Sequence, residues 1–278
     1  MKCLFGSDMA TSSSEQKRVI LWAVPRSCST VLAKCIYNKD NVKLLLERNF
    51  KPFYFGEERL SNRYSDGVDT SNFSSTTGNF KKSKAEYEED YPGFDLIFGK
   101  EMAVYLMGKL DTMDYIPSGY QHTFLIRNPK QATPDLYKCL TDKERNGCDH
   151  FDKLEATYKP IHQLFHLIKK ETGQTPVLID ADDLLNDPAG IVKRYCSLTG
   201  IEFVPSMLQW EAGSTKDTHW HRWPGWYEEL TTSTGFKKLE EVSSQKPPDL
   251  NDLPVEVQES IQENMPLYEE LKEYRIQV

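Results

Sequence analysis

The stretch Val19-Ile20-Leu21-Trp22-Ala23-Val24-Pro25-Arg26-Ser27-Cys28-Ser29-Thr30 passes from an apolar run into a short turn of charged and hydroxyl residues. Residues 30–36 then place apolar side chains at helical spacing, so the whole stretch predicts a strand, a turn and a helix. At such a junction the free backbone N–H groups and the positive end of the helix face outward together. This arrangement suits a phosphate or sulfate group.

The side chains of the turn supply further groups for an anion. Arg26 adds a planar charge, and Ser27, Ser29 and Thr30 add hydroxyl donors on either side of Cys28. The turn is not the loop of nucleoside triphosphatases, because it contains neither the glycine nor the lysine of that motif. An ordinary polar turn is the alternative, since Ser and Thr also cap helices that bind nothing.

Two later segments also read as strands that end in polar residues. Residues 121–130 end in Arg127-Asn128-Pro129-Lys130, and residues 177–188 run through an acidic turn to a proline that starts a helix. That helix closes on a Gly-Ile-Glu-Phe stop within residues 195–203. With the first stretch, these segments resemble the sulfotransferase family in order and spacing, over about residues 18–205.

The resemblance implies a donor and the residues that hold it. The expected donor is 3′-phosphoadenosine 5′-phosphosulfate (PAPS), the product is 3′-phosphoadenosine 5′-phosphate (PAP), and no metal ion is expected. In this family the first turn binds the 5′-phosphosulfate and the arginine after the central strand holds the 3′-phosphate. The resemblance thus assigns these donor-binding residues: Arg26, Ser27, Cys28, Ser29, Thr30 and Arg127. Arg26 is also expected to stabilise the leaving group, because the lysine that many relatives place in this loop is missing.

Strand and helix candidates alternate along the chain, which favours a parallel sheet covered by helices. The predicted strands are 18–24, 42–46, 95–99, 121–126 and 176–180. The predicted helices are 29–38, 101–110, 130–141, 151–172, 188–199 and 254–273, and Pro160 is expected to kink the fourth of them. The fold class expected is α/β, with three α/β/α layers around a mostly parallel sheet, similar to P-loop nucleoside triphosphatases.

The domain organisation expected is simple. Residues 1–17 are polar and serine-rich, which predicts a flexible tail without a signal-peptide core, and residues 18–278 form a single domain. Residues 56–94 are poor in aliphatic side chains and too long for a simple connection. They are either a lid on the substrate side or a disordered insertion.

Charge and cysteine content limit the partners and the compartment. A net charge of −8 disfavours a general nucleic-acid binder. Six cysteines without a Cys-x-x-Cys pair indicate reduced thiols, and hence a cytoplasmic protein. No apolar run reaches the length of a membrane span, so no membrane association is expected. The oligomeric state is not predicted.

Catalysis in this family needs a base for the acceptor proton and a cation near the transferred group. Glu47 follows the apolar run 42–46 and is the predicted base, with a solvent-facing turn residue as the alternative. Lys100 follows the strand candidate at 95–99, where sulfotransferases often have a lysine that reaches the sulfuryl oxygens. The resemblance therefore implies Lys100 as the cation, with a lysine that merely ends the strand as the alternative. Glu101 is either a second base candidate or, as we expect, an acidic residue at the start of the next helix. The histidine base of the small-molecule branch is excluded, because Met102 stands at its position.

Two departures from the family leave other functions open. Asp135 stands where the family has a serine for the 3′-phosphate, and Thr133 is the nearest substitute hydroxyl. The C-terminal donor loop is not recognisable, and its proposed replacement is Ser233, Gly235, Phe236 and Lys237. A catalytically degenerate nucleotide- or partner-binding protein is therefore the first alternative. A nucleotide kinase is the second, although it would need a phosphate-contacting lysine in the first loop.

Histidines and aromatic residues bear on metal and acceptor binding. His162 and His166 are spaced as a zinc pair, but without a third ligand nearby an ordinary helix face is expected. Aromatic residues are dense in the segment 210–227 and either line an acceptor or adenine pocket or cover the sheet edge. The expected acceptor is a small molecule with a hydroxyl or amine group, apolar or aromatic in character.

Overall fold

A parallel sheet lies at the centre of the chain. The computed structural model describes residues 16–64, 78–213, 224–237 and 249–278. Its strands are β1 (Lys17–Ala23), β2 (Val42–Leu46), β3 (Leu96–Met102), β4 (Gln121–Ile126) and β5 (Val177–Asp180). They pair in the order β2-β3-β1-β4-β5, and every pair is parallel. All of the predicted strands are confirmed.

Helices join these strands. They are α1 (Ser29–Tyr37), α2 (Phe50–Phe55), α3 (Phe80–Glu88), α4 (Pro129–Leu140), α5 (Lys143–Asn146), α6 (Lys153–Ala156), α7 (Lys159–Thr172), α8 (Ala181–Asn186), α9 (Pro188–Thr199), α10 (Pro224–Thr232) and α11 (Val255–Lys272). The predicted helices at 29–38, 130–141, 188–199 and 254–273 are confirmed to within a residue or two. Among the helices that the structure describes, none is long and apolar enough to cross a bilayer.

The helix predicted over 101–110 is wrong. Strand β3 continues through Lys100 and Glu101 to Met102, and a 3₁₀ turn at Ala103–Leu106 follows it. Lys100 lies opposite Leu21 of β1 in this ladder, and β2 pairs with the other side of β3. Pairing with β1 continues to Met102 and extends the strand, because it satisfies backbone hydrogen-bonding groups that a helix would otherwise satisfy internally.

The long helix predicted over 151–172 is two helices. The first, α6, ends at Ala156, and α7 begins at Lys159 with Pro160 in its first turn. Proline fits that position because the first turn has no internal partner for its N–H. Pro160 therefore starts a helix rather than kinking one. Between the two helices the amide of Tyr158 donates to the side chain of Asn264 on α11 (2.9 Å).

Side chains of β1 alternate between two buried cores. Ile20 and Trp22 face a core that also contains Phe165 of α7. Val19 and Leu21 face a second core, built with helices α1 and α9. Burial on both faces is typical of a parallel sheet between helical layers. The expected three-layer α/β/α fold is confirmed.

The segment 56–94 is described in part. Its last third contains α3, whose residue Tyr87 is fully buried. The guanidinium of Arg18 in β1 donates to the Tyr87 carbonyl (2.9 Å), which fastens α3 to the sheet. Residues 65–77 of the segment and residues 1–15 of the expected tail lie outside the described residues. The interpretation of 56–94 as a lid or insertion stays a prediction.

Candidate functional site

The turn between β1 and α1 has an unusual backbone. Arg26 and Cys28 adopt left-handed conformations, with φ of 62° and 65°, although neither is glycine. The Ser27 hydroxyl donates to the Val24 carbonyl (2.7 Å), so its proton is used in a hydrogen bond within the turn. Cys28 is the N-cap residue of α1, and its side chain forms no capping hydrogen bond with the described residues of this helix. The amides of the first turn therefore lack partners within the helix and face the space where an anion would bind.

Arg127 connects the end of β4 to this turn. Its Nη1 donates to the Arg26 carbonyl (2.8 Å), and the Tyr158 hydroxyl donates to the Arg127 carbonyl (2.6 Å). The Nε atoms of Arg26 and Arg127 are both buried without a hydrogen-bond acceptor among the described residues. Buried donors normally have partners. Two unsatisfied guanidinium donors beside a helix start fit a site made for an anionic group.

Asp135 accepts a hydrogen bond from this same guanidinium. Its Oδ2 lies 2.8 Å from Arg127 Nη1. The carboxylate is partly exposed at the surface of α4, while Thr133 on the same helix is buried. Asp135 thus pairs with the positive charge of Arg127, which a 3′-phosphate would otherwise neutralise. Thr133 remains the predicted substitute hydroxyl.

The structure brings the predicted base and the predicted cation into contact. Glu47 directly follows β2 in a left-handed conformation (φ 44°), and its amide donates to the Lys100 carbonyl (2.8 Å). Its Oε1 forms an ion pair with Lys100 Nζ, and its Oε2 accepts from the Tyr105 hydroxyl (3.0 Å). The Lys100 side chain is 1 % exposed and that of Glu47 is 17 % exposed. The carboxylate is therefore held in a fixed position and still reaches solvent.

The strand order places these groups along one edge of the sheet. Parallel strands end at a common edge, so Glu47 after β2, Lys100 in β3, the turn after β1 and Arg127 after β4 follow one another. Neighbouring strands lie about 4.8 Å apart. The Glu47–Lys100 pair therefore flanks the turn on one side, and Arg127 flanks it on the other.

Glu101 is not the helix-starting residue that we expected, because it lies fully buried in β3. Its Oε2 accepts from the Asn49 amide (2.9 Å) and the Tyr87 hydroxyl (3.0 Å). Burial, with a smaller contribution from the nearby Glu47 carboxylate, raises the pKa of Glu101 to about 8 against the opposing effect of its hydrogen-bond donors. Glu101 thereby fixes the chain segment just after the predicted base.

We expect a Glu101→Gln variant to change how stability depends on pH. The folded pKa of about 8 lies above the ordinary value of 4.5, so the folded chain keeps this proton while the unfolded chain releases it. Wild-type stability attributable to Glu101 therefore falls as the pH rises from about 5 to 8. Urea unfolding of the variant should show a smaller decline over that range. Glu256→Gln, at an exposed position on α11, is the control and should follow the wild type; equal declines in all three would contradict the assignment.

Aromatic side chains pack beside Glu47. The ring of Tyr105 lies 5.9 Å from that of Phe50 and 5.0 Å from that of Phe53, measured between centroids. Behind this wall the Tyr54 hydroxyl donates to Glu155 (2.9 Å), whose carboxylate is paired with Arg63 at 2.7 Å. The contacts of Tyr105 with Glu47, Phe50 and Phe53 were not predicted from the sequence, because they depend on how α2 packs against the 3₁₀ turn after β3.

The predicted C-terminal donor residues pack around Trp210. The Trp210 indole donates to the Ser233 hydroxyl (3.1 Å), and the Phe236 ring lies 5.9 Å from it, edge to face. Gly235 pairs with Gln209 in an isolated antiparallel bridge. Lys237 follows at the end of this described segment, and a donor-binding role for these residues stays a prediction. Of the dense aromatic segment, residues 214–223 lie outside the described residues.

The histidine pair has a third partner, which the sequence analysis did not expect. His162 and His166 on α7 both lie against Glu270 of α11, at 2.9 and 3.0 Å. The expectation that no third ligand is nearby is therefore wrong. Helices α7 and α11 are far apart in sequence, so only their packing reveals the group.

Comparison with known proteins agrees with the fold. The sequence model of the family described as "Sulfotransferase domain" matches residues 17–274. Branched-chain-amino-acid aminotransferase-like protein 2 of Arabidopsis thaliana is 29% identical over 259 residues, which cover 90% of this chain and 40% of that protein. Protein 1 of the same name is 26% identical and is covered to 42%. The chain thus spans about two-fifths of the length of these relatives.

Two further proteins carry the sulfotransferase name. Sulfotransferase ppzF of Metarhizium rileyi is 30% identical over 102 residues, which cover 32% of this chain and 30% of that protein. The solved sulfotransferase domain from the curacin biosynthetic pathway superposes with a TM-score of 0.50 at 14% identity and covers 90% of this chain and 98% of its own. At that identity the likeness concerns the fold alone. The family match extends over nearly the whole chain, and the chain accordingly belongs to the sulfotransferase domain family.

Proposed function

We propose that this chain transfers a sulfuryl group from PAPS to a hydroxyl or amine group of a small molecule. The observation that carries the proposal is the Glu47–Lys100 ion pair at the sheet edge, directly beside the unsatisfied anion turn. A base and a cation that flank an anion site are the groups that in-line sulfuryl transfer requires.

In the proposed complex, the turn at Arg26–Thr30 binds the 5′-phosphosulfate through its amides, with the hydroxyls of Ser29 and Thr30. The two buried Nε donors of Arg26 and Arg127 support this assignment, because a bound anion would give each a partner. Arg127 would bind the 3′-phosphate, with Thr133 as a neighbouring hydroxyl. Both guanidinium groups are donors without acceptor character, which suits an oxyanion and not a metal ion.

The proposed chemistry uses one base and one leaving group. The acceptor oxygen attacks sulfur and forms a new O–S bond, while the S–O bond to the 5′-phosphate breaks on the opposite side. Glu47 takes the acceptor proton, and the bridging oxygen leaves with PAP carrying the electron pair. Lys100 and Arg26 stabilise the negative charge that develops on the sulfuryl and bridging oxygens. For this step Lys100 must shift part of its contact from Glu47 to the substrate.

The wall beside Glu47 supports an aromatic or apolar acceptor. Tyr105 contacts the carboxylate directly and also packs against Phe50 and Phe53. Phe50 is partly exposed, and a flat aromatic acceptor placed against it would gain stacking contacts. A phenolic hydroxyl is therefore the acceptor group that we would assay first.

A second candidate function is nucleotide or partner binding without turnover. The Arg127–Asp135 pair favours it, because Asp135 competes with a 3′-phosphate for the guanidinium. If the pair persists, donor binding would be weak. The long Arabidopsis relatives have aminotransferase-like names, and these names indicate no sulfuryl acceptor.

Titration calorimetry with PAP is the first test of the donor site. Wild type is expected to bind PAP, and Arg127→Ala should weaken binding by about tenfold or more, since a hydrogen bond to a charged group is lost. Asp135→Asn should tighten binding, because it releases the guanidinium. The control is Arg275→Ala. It removes an arginine near the C-terminus that is paired with Asp183, and it should bind PAP as the wild type does.

Each result separates the two candidate functions. Failure of wild type and Asp135→Asn to bind PAP would contradict the proposed donor. Tight binding of PAP with no sulfated product from a panel of phenols, alcohols and amines would support the second candidate. Binding together with product supports the sulfotransferase.

A further inference from the structure

We propose that His162, His166 and Glu270 form a binding site for one zinc-class divalent cation between α7 and α11. The two histidines stand one turn apart on α7, with ring centroids 4.5 Å apart. The carboxylate of Glu270 lies between them, with Oε2 at 2.9 Å from His162 Nε2 and Oε1 at 3.0 Å from His166 Nε2. One ligand atom from each residue can be chosen so that all lie within 4.8 Å of one another.

The donor set has the chemistry that zinc requires. Two imidazole nitrogens and one carboxylate oxygen are common zinc ligands, and three protein ligands leave a fourth position for water. Both histidines direct the same atom, Nε2, toward Glu270, so the two lone pairs converge when each ring is neutral and carries its proton on Nδ1. His166 Nε2 is buried, and despite its 3.0 Å approach it makes no hydrogen bond of acceptable geometry with the described residues. That nitrogen is accordingly available as a ligand.

Neighbouring charges leave the group accessible to a cation. Lys169, on the next turn of α7, places its ammonium 4.4 Å from the centroid of the Tyr274 ring. Lys272 lies similarly over Tyr268, at 5.3 Å. The ammonium groups of Lys169 and Lys272 are thus each engaged with an aromatic ring.

A bound cation would join α7 to α11. Helix α11 is already attached to the sheet, because the Tyr268 hydroxyl donates to Asp180 at the end of β5 (2.7 Å). The metal would add a second attachment one half-turn further along the helix, on the side that faces α7. Because the unfolded chain does not hold these residues together, metal binding should raise the melting temperature.

The test uses the full chain after removal of metals with a chelator. Zinc is titrated by calorimetry, and cobalt(II) is added separately because a tetrahedral site gives it strong visible absorption. Wild type should bind one equivalent, and His166→Gln and Glu270→Gln should each weaken binding by about tenfold or more. Loss of partners that only support ligands costs about 10–100-fold, and loss of a ligand should cost at least as much.

Controls separate this site from the cysteines and from simple loss of folding. His150→Gln changes an exposed histidine that is paired with Asp149, and it should bind zinc as wild type does. Each variant should melt near the wild-type temperature without metal, because all of the changed side chains are at least partly exposed. No binding to wild type, or equal binding by wild type and both ligand variants, would overturn the proposal. The outcome is independent of the proposed sulfuryl transfer.

Discussion

Replacing Glu47 by glutamine is expected to slow sulfuryl transfer by about 10²–10⁴-fold in a single turnover, the usual cost of losing a general base. Glutamine keeps the size of the side chain and can still accept from the Tyr105 hydroxyl, but it cannot take the acceptor proton. The measurement mixes enzyme in excess with labelled PAPS and the best acceptor from the phenol panel. Excess enzyme isolates the chemical step from product release.

The control for this variant is a second carboxylate from the same region. Glu58 is paired with Lys109 at 3.1 Å and lies outside the strand edge. Glu58→Gln should leave the single-turnover rate unchanged. PAP affinity should be similar in both variants, since neither residue is assigned to the donor. An intact rate in Glu47→Gln would remove Glu47 as the base, and a loss of rate in Glu58→Gln instead would identify a different carboxylate.

Replacing Arg63 by methionine should destabilise the fold by about 3–5 kcal/mol, the cost of breaking a buried ion pair on one side. The Arg63 and Glu155 side chains are only 1 % and 5 % exposed. Arg63 also donates to the His150 carbonyl (2.7 Å), and that bond is lost as well. The change leaves the buried Glu155 carboxylate with only the hydroxyl donors of Tyr54 and Ser61. Thermal unfolding should show a melting temperature lower by roughly 5–9 °C.

The pH dependence of this loss identifies its cause. Burial raises the pKa of Glu155 in the wild type and Arg63 opposes that rise, so the pKa rises further in Arg63→Met. A folded pKa above the unfolded value costs stability at neutral pH, and this cost disappears as the pH falls toward the unfolded pKa. The deficit should therefore be smaller at pH 5 than at pH 7.5.

Two further variants complete that experiment. Arg63→Met combined with Glu155→Gln should be more stable than Arg63→Met alone, because the unpaired charge is gone. Lys153→Met removes a surface lysine that is paired with Glu259 and Glu263, and it should change the melting temperature little. A deficit in Arg63→Met no larger than this control would contradict the buried-pair account.

The sheet was predictable because its strands carry local signals. The run from Val19 to Val24 is wholly apolar and stops at a proline, which is the pattern of a strand buried on both faces. Similar runs precede Glu47 and Arg127, so the residues after the strands could be assigned to one edge. Helix α9 was equally clear, since Pro188 starts it and Gly200 follows its end.

Other features depend on contacts that no local pattern contains. Glu101 looked like the start of a helix, yet β1 pairs with β3 through Glu101 and extends the strand to Met102. The Asp135 contact with Arg127 was foreseen only as a conflict, because spacing along the chain does not give the direction of a side chain. Glu270 joins His162 and His166 only through the packing of α11 on α7.

The order of the strands also separates the proposed acceptor residues from the proposed donor residues. The proposed acceptor side is built from β2, β3 and α2, whereas the proposed donor side is built from the ends of β1 and β4. Substitutions more than about 7–10 Å apart that share no partners usually add independently. Changes to the partly exposed Phe50 could therefore alter the acceptor range while the proposed nucleotide contacts of Arg127 are retained. One half of the sheet edge could be redesigned for new acceptors, and the other half could be kept as a constant part.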